Sequence, residues 1–133
     1  MPLADFAGQV LIVDFWATWC APCIGQVPTF TALQSEYGDE GFSVIGISTA
    51  ETAAVVRAFA ARRELNFPLL MADEKVVHDY GDVSAIPTSF VIDRKGIVRH
   101  VHLGAPADPG IFQHQVEELL AEEAAVESLA EEV

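Results

Sequence analysis

Residues 16–23 read WATWCAPC and hold the only cysteines of the chain, Cys20 and Cys23. Two thiols at this spacing can form a lasting disulfide, supply half of a metal site, or work as a couple that opens and closes. What surrounds them decides the fold. Upstream, VLIVDF (10–15) is apolar on both alternating faces except at Asp14, as a central strand covered on both sides requires. Downstream, PTFTALQSEYG (28–38) sets Phe30, Leu33 and Tyr37 at helical spacing, with Gly38 as a stop. The pair therefore sits where a buried strand turns into a helix. Pro22 fits the first helical turn, whereas Pro28 lies inside the helix, removes a donor and should bend it.

Further along, Phe42 to Ser48 reads as a second buried strand, and Ala53 to Arg63 as a helix with Val55, Val56 and Phe59 on its inner side and two arginines near its end, where they suit the dipole. NFPLLM (66–71) is an apolar stretch in which Met71 reads as core, and a short helix follows over Val76 to Tyr80. Ser89 to Ile92 reads as a strand. DRKG (93–96) turns it tightly into Ile97 to Leu103, so these two form an antiparallel hairpin. A last helix from about Pro109 turns Phe112, Val116, Leu119 and Leu120 inward. The order β-α-β-α-β-β-α puts helices on both faces of a central mixed sheet, an α/β fold.

At 133 residues, 51% hydrophobic and 20% charged, the chain suits one globular domain. The formal net charge of -13, from 20 acidic and 7 basic side chains, argues against nucleic acid or an anionic lipid surface as partner. Much of that charge lies in QVEELLAEEAAVESLAEEV (115–133), read as a solvated helix face running into a frayed tail over about 125–133. No apolar run approaches the roughly 20 residues that cross a bilayer. MPLADFAGQ (1–9) lacks the basic start and apolar run of a secretion signal, which leaves a cytoplasmic location open.

At a helix N-terminus, unpaired N–H groups and the dipole favour a thiolate, so Cys20 is the expected nucleophile. Cys23, one turn on and facing inward, is the expected resolving thiol. Their chemistry would be thiol-disulfide exchange, which moves two electrons and needs no cofactor. Ala21 and Pro22 bring no charge to hold the thiolate, which favours a reductant over a strong oxidant. Two alternatives stay open. A lasting disulfide across so short a loop would constrain the unfolded chain little. A zinc site would need further ligands from His78, His100, His102 or His114, and His100 and His102 read as the polar outer face of the hairpin. A bare dithiol suits Cu(I) better, so the second hypothesis is a Cu(I)-binding carrier using the same cysteines.

With WCAPC between strand and helix, and AIPTSFVID (85–93) beyond, the chain resembles the thioredoxin-fold proteins. In that fold a cis-proline opens a strand opposite the active cysteines, which here would be Pro87. The backbone beside it, at Ile86 and Thr88, would hold the substrate polypeptide. WATWCAPC followed by Pro28, with an insertion before the IPT strand, resembles the TlpA/ResA-like branch. That likeness covers about residues 5–120. It implies a monomeric, extracytoplasmic, membrane-tethered bacterial reductant of protein disulfides, re-reduced by a separate thiol donor, with several relatives serving cytochrome c maturation.

The resemblance also assigns roles around the pair. Asp14 matches the buried acid of thioredoxin that takes the proton of the second cysteine, although many of the branch lack an acid there. A carboxylate in an apolar strand should in any case have a raised pKa. Glu51 matches an acid that the ResA-like proteins keep near the cysteines, but Ser48 to Glu51 also reads S-x-x-E, a capping box for the next helix. Trp19 would form substrate-facing surface beside Cys20 and Pro22, and Trp16 would be buried against the sheet. Two features depart from the branch. Gln26 stands where a glutamate is frequent, and the hairpin ahead of the first strand is mostly missing.

Overall fold

In the computed structural model, described over residues 6–49, 51–81, 83 and 85–132, one five-stranded sheet organises the chain. The elements are β1 (Val10–Trp16), α1 (Ala21–Tyr37), β2 (Phe42–Ser48), α2 (Ala53–Arg63), β3 (Leu69–Met71), α3 (Glu74–Asp79), β4 (Thr88–Ile92), β5 (Val98–Leu103) and α4 (Gly110–Glu132). A short 3-10 turn, Gly38–Glu40, links α1 to β2. The spatial order is β3-β2-β1-β4-β5. β1 runs parallel to β2 and antiparallel to β4, so the sheet is mixed, as expected.

β1 is central and buried at all seven positions, which explains why its sequence is apolar on both faces. Val10 and Ile12 join Phe30 and Leu33 of α1 and Phe112, Val116 and Leu119 of α4 on one face. Leu11, Val13 and Phe15 pack on the other, against Val76 of α3, Tyr80 and Ile86. Each Val, Ile or Phe buried here contributes roughly 1.5–3 kcal/mol. β2 meets the first strand so closely at Gly46 that an added Cβ would lie 2.7 Å from Leu69 and 2.9 Å from the Trp16 indole.

Between β4 and β5 the turn is held by Asp93, whose Oδ1 accepts from the amides of Lys95 at 2.9 Å and Ile97 at 3.0 Å, while Gly96 takes a φ of +83°. α1 continues through Pro28 without interruption from Ala21 to Tyr37.

Several expectations need correction. The stretch 66–71 contains a strand, β3, only three residues long and paired to β2 at the sheet edge. Met71 at its end is therefore 37% exposed and not core. On α2 the inward stripe is Val56 and Phe59, and Val55, 100° round the helix, is 49% exposed. His100 and His102 do not form an outer face: they turn toward α4, to Glu118 at 3.1 Å and Gln115 at 2.8 Å. Besides Arg99, the exposed side chains of β5 are apolar, among them Val101 at 51% and Leu103 at 82% exposure. Apart from these corrections, α4 is described as far as Glu132, and Val133 lies outside the described residues, as do residues 1–5 of the N-terminal stretch.

Candidate active site

Because β1 ends at Trp16 and α1 begins at Ala21, Cys20 becomes the N-cap of α1. Its backbone is extended and its Sγ accepts from the Cys23 amide at 3.3 Å. Pro22, inside the first turn, has no N–H to leave unpaired. Cys20 and Cys23 are joined in a disulfide, with Cα atoms 5.2 Å apart. Cys20 keeps 6% of its surface exposed and Cys23 only 1%, so the pair is asymmetric toward solvent. Trp19 stands out beside it at 66% exposure, and Pro22 is exposed as well. Trp16 is buried and packs on Phe59 of α2 with ring centroids 5.3 Å apart.

The loop before β4 reaches the same place. The Ile86–Pro87 peptide bond is cis, and Ile86 packs against the cluster that contains both cysteines. The Pro87 carbonyl accepts from the Gly104 amide at 2.8 Å. Thr88 turns its hydroxyl back to the Ala85 carbonyl at 2.7 Å and is buried, so it presents backbone rather than side chain.

Behind the disulfide, Asp14 is 5% exposed and shares with Cys23 a cavity of about 10 Å³, room for about one water molecule. The other walls, Trp16, Val27, Phe30, Leu65 and Phe67, are aromatic or aliphatic. Ser89 Oγ donates to Asp14 Oδ1 at 2.9 Å. Burial raises the Asp14 pKa to about 7, and the Ser89 hydroxyl offsets only part of that rise. A carboxyl with this affinity for protons beside an inward thiol can accept a proton near neutral pH.

Glu51 is not a capping-box residue. α2 starts too late for Ser48 to cap it; its N-cap is Thr52, whose hydroxyl accepts from the Val55 amide. The Glu51 carboxylate instead accepts from the Thr18 amide at 3.0 and 3.1 Å, from the Thr18 hydroxyl, and from Ser48 Oγ at 2.6 Å. Burial pushes its pKa up, but these hydrogen bonds outweigh burial and hold it below the usual carboxylate range. Glu51 thus grips the loop two residues ahead of Cys20.

Gln26, one turn beyond Cys23 on the inward side of α1, is 4% exposed, and neither polar atom of its amide has a hydrogen-bond partner among the described residues. No group of three or more His, Cys, Asp or Glu side chains stands together as a metal cluster among the described residues. Thr18 and Ser89 were missed from the sequence, and Ser48 was read only as part of a capping box with Glu51. The one available signal was for Ser89: an acid in a buried strand demands a donor from a neighbouring strand.

A mixed sheet carrying a Cys-X-X-Cys disulfide at the start of its first helix, with a cis-proline loop against it, defines a thioredoxin-fold thiol-disulfide protein. The profile of the AhpC/TSA family matches residues 1–101. The thioredoxin-like protein YneN of Bacillus subtilis is 36% identical over 105 residues, covering 77% of this chain and 61% of that protein. The thiol-disulfide oxidoreductase ResA of Geobacillus thermodenitrificans is 33% identical over 113 residues, covering 84% and 64%. A crystal structure of a thiol:disulfide interchange protein of the thioredoxin family from Chlorobium tepidum superposes with a TM-score of 0.82 at 32% identity, covering 90% of this chain and 86% of that one. The chain belongs to the AhpC/TSA family, and it is similar to ResA and to thioredoxin-family thiol:disulfide interchange proteins. It spans less than two thirds of the length of the YneN and ResA relatives.

Proposed function

We propose that the protein reduces disulfides in polypeptide substrates by exchange through Cys20 and Cys23. The observation that carries this is the disulfide itself, set at a helix N-terminus, with Cys20 at 6% exposure and Cys23, beside Asp14, at 1%. Cys20 thiolate attacks a substrate disulfide, forms a Cys20–substrate bond and releases the first substrate sulfur, which takes up a proton. Cys23 gives its proton to Asp14 and attacks Cys20 Sγ. The Cys20–Cys23 bond closes and the second substrate sulfur leaves. Two electrons have passed to the substrate, and a separate dithiol donor returns them.

In this reading Trp19, Pro22 and the Ile86–Pro87–Thr88 backbone receive an extended substrate chain across Cys20, which the packing of Ile86 on the cysteine cluster supports. Because Cys20, Cys23, Asp14 and Pro87 come from one chain, a monomer suffices. The uncharged Ala21 and Pro22 support a reducing role. An extracytoplasmic site of action and apocytochrome c as client rest on the resemblance to the branch. Among the described residues no helix is long and apolar enough to cross a membrane.

The test is reduction of insulin with dithiothreitol as donor. Catalysed precipitation of the insulin chains is the expected result; a protein that isolates with stoichiometric copper and leaves insulin intact would instead be a Cu(I) carrier.

Glu51 acts in this scheme by holding the loop rather than by moving protons. Glu51→Gln should cost about 1–3 kcal/mol, since charge-assisted bonds to Thr18 and Ser48 are lost, and lower Tm by roughly 5 °C. The stability that Glu51 gives is full above the ordinary carboxylate range and disappears as pH falls through its lowered pKa. The pH profile of Cys20 alkylation should stay in place; a displaced profile would make Glu51 a proton-handling group.

A further inference from the structure

Ser89 has no exposed surface and lies within a strand buried along its whole length. A hydroxyl there is costly unless it finds a partner. Its partner is Asp14, directly opposite in the β1–β4 register, with Oγ 2.9 Å from Oδ1. One oxygen of the carboxyl is thereby held from the β4 side, while the same residue walls the cavity it shares with Cys23.

We propose that Ser89 is a positioning residue for the resolving step: by donating to Oδ1 it fixes the orientation of the carboxylate toward Cys23 and favours its ionised form, ready to accept the thiol proton. Ser89 keeps its own proton throughout; the proton that moves travels from Cys23 Sγ to Asp14. This rests on the reading of Asp14 as proton acceptor and adds the residue that makes it one.

The titratable groups facing Asp14 are few. From α1 comes Cys23, with Cys20 bonded to it; β2 presents Gly46 opposite; the segment after α2 presents Leu65 and Phe67. One strand beyond Ser89, its partner in the β4–β5 register is His102, which is bonded to Gln115 of α4 and packs on Phe112 with ring centroids 4.8 Å apart. Because His102 is a second ionisable side chain behind Ser89, Asp14 is followed by its own signal.

In the reduced full chain, the Asp14 side-chain ¹³C carboxyl resonance is titrated in the wild type, Ser89→Ala and Ser89→Thr. In parallel, the pH profile is recorded for release of a peptide from its mixed disulfide with Cys20. Loss of one hydrogen bond to a charged group should move both midpoints of Ser89→Ala upward by about one pH unit. Ser89→Thr, which keeps the hydroxyl, should stay with the wild type even if its melting temperature changes. Coincident midpoints for Ser89→Ala and the wild type would overturn the proposal. Asp14→Asn separates the two claims: a release profile unchanged by that substitution removes Asp14 from the reaction, and Ser89 with it, whereas an altered Asp14→Asn profile beside an unmoved Ser89→Ala one removes Ser89 alone.

Discussion

Cys23→Ser should leave Cys20 covalently joined to its substrate, and Cys20→Ser should leave neither cysteine joined to anything. The expectation follows from the asymmetry at the start of α1. Cys20 is the less buried of the two, and it caps the helix, where N–H groups and the dipole favour a thiolate. Cys23 is sealed at 1% exposure, so it reacts only with Cys20 Sγ, once Cys20 carries the substrate. Removing the second thiol stops the cycle after its first bond has formed. Mass spectrometry of the protein mixed with a disulfide-bonded peptide reads the adduct directly. Each variant should lose insulin reduction by about a thousandfold or more, since a step of the covalent route is missing altogether. An adduct through Cys23 in Cys20→Ser, at a rate like that of Cys20 in the reverse variant, would overturn the assigned order.

The second large effect is on stability. Asp14 holds its proton far more tightly folded than unfolded, with a pKa raised from 3.8 to about 7. Between those values the unfolded chain ionises at Asp14 and the folded one does not, so the contribution of Asp14 to stability is most favourable below pH 4, falls as pH rises, and levels off above 7. Asp14→Asn has no such titration. Its advantage over the wild type should open across that window and reach between about 2 and 4 kcal/mol at alkaline pH, the upper figure being the full linkage and the lower allowing for an amide nitrogen left without an acceptor. The same variant should slow resolution of the Cys20 mixed disulfide by on the order of tenfold to a hundredfold, toward the low end of what a positioned base supplies. Urea unfolding at several pH values, with release kinetics on the same samples, measures both. A stability gap independent of pH would mean that Asp14 is ionised throughout.

Legibility in the sequence followed the range of the interaction. β1, α1, β2 and α2 could be read because burial imposes a period on consecutive residues, and Val10–Trp16 is buried at every position. β3 is too short to show a period, and at a sheet edge its burial is incomplete. The α2 stripe was read too wide: of its apolar residues only Val56 and Phe59 are buried, in the cluster with Trp16. His100 and His102 were assigned to the wrong side of β5, since alternation tells which residues share a face but not which face meets α4. In the site, Cys20, Cys23 and Asp14 were visible as residue types out of keeping with their setting. The grip of Glu51 on Thr18 spans 33 positions and leaves no local mark, and the capping pattern at Ser48 pointed to a nearer partner. Ser89 looked like an ordinary small residue in an apolar strand until Asp14 was found opposite it.

β5 closes one side of the sheet with Val101 and Leu103 turned to water, the kind of border on which a second copy could add its own strand. The surplus of 20 acidic over 7 basic side chains gives every copy the same sign, so mutual repulsion guards that border against end-to-end stacking. The protection belongs to the ionised carboxylates and weakens in mild acid or high salt, which makes colloidal behaviour, like the proton chemistry at Asp14, a function of the surrounding medium.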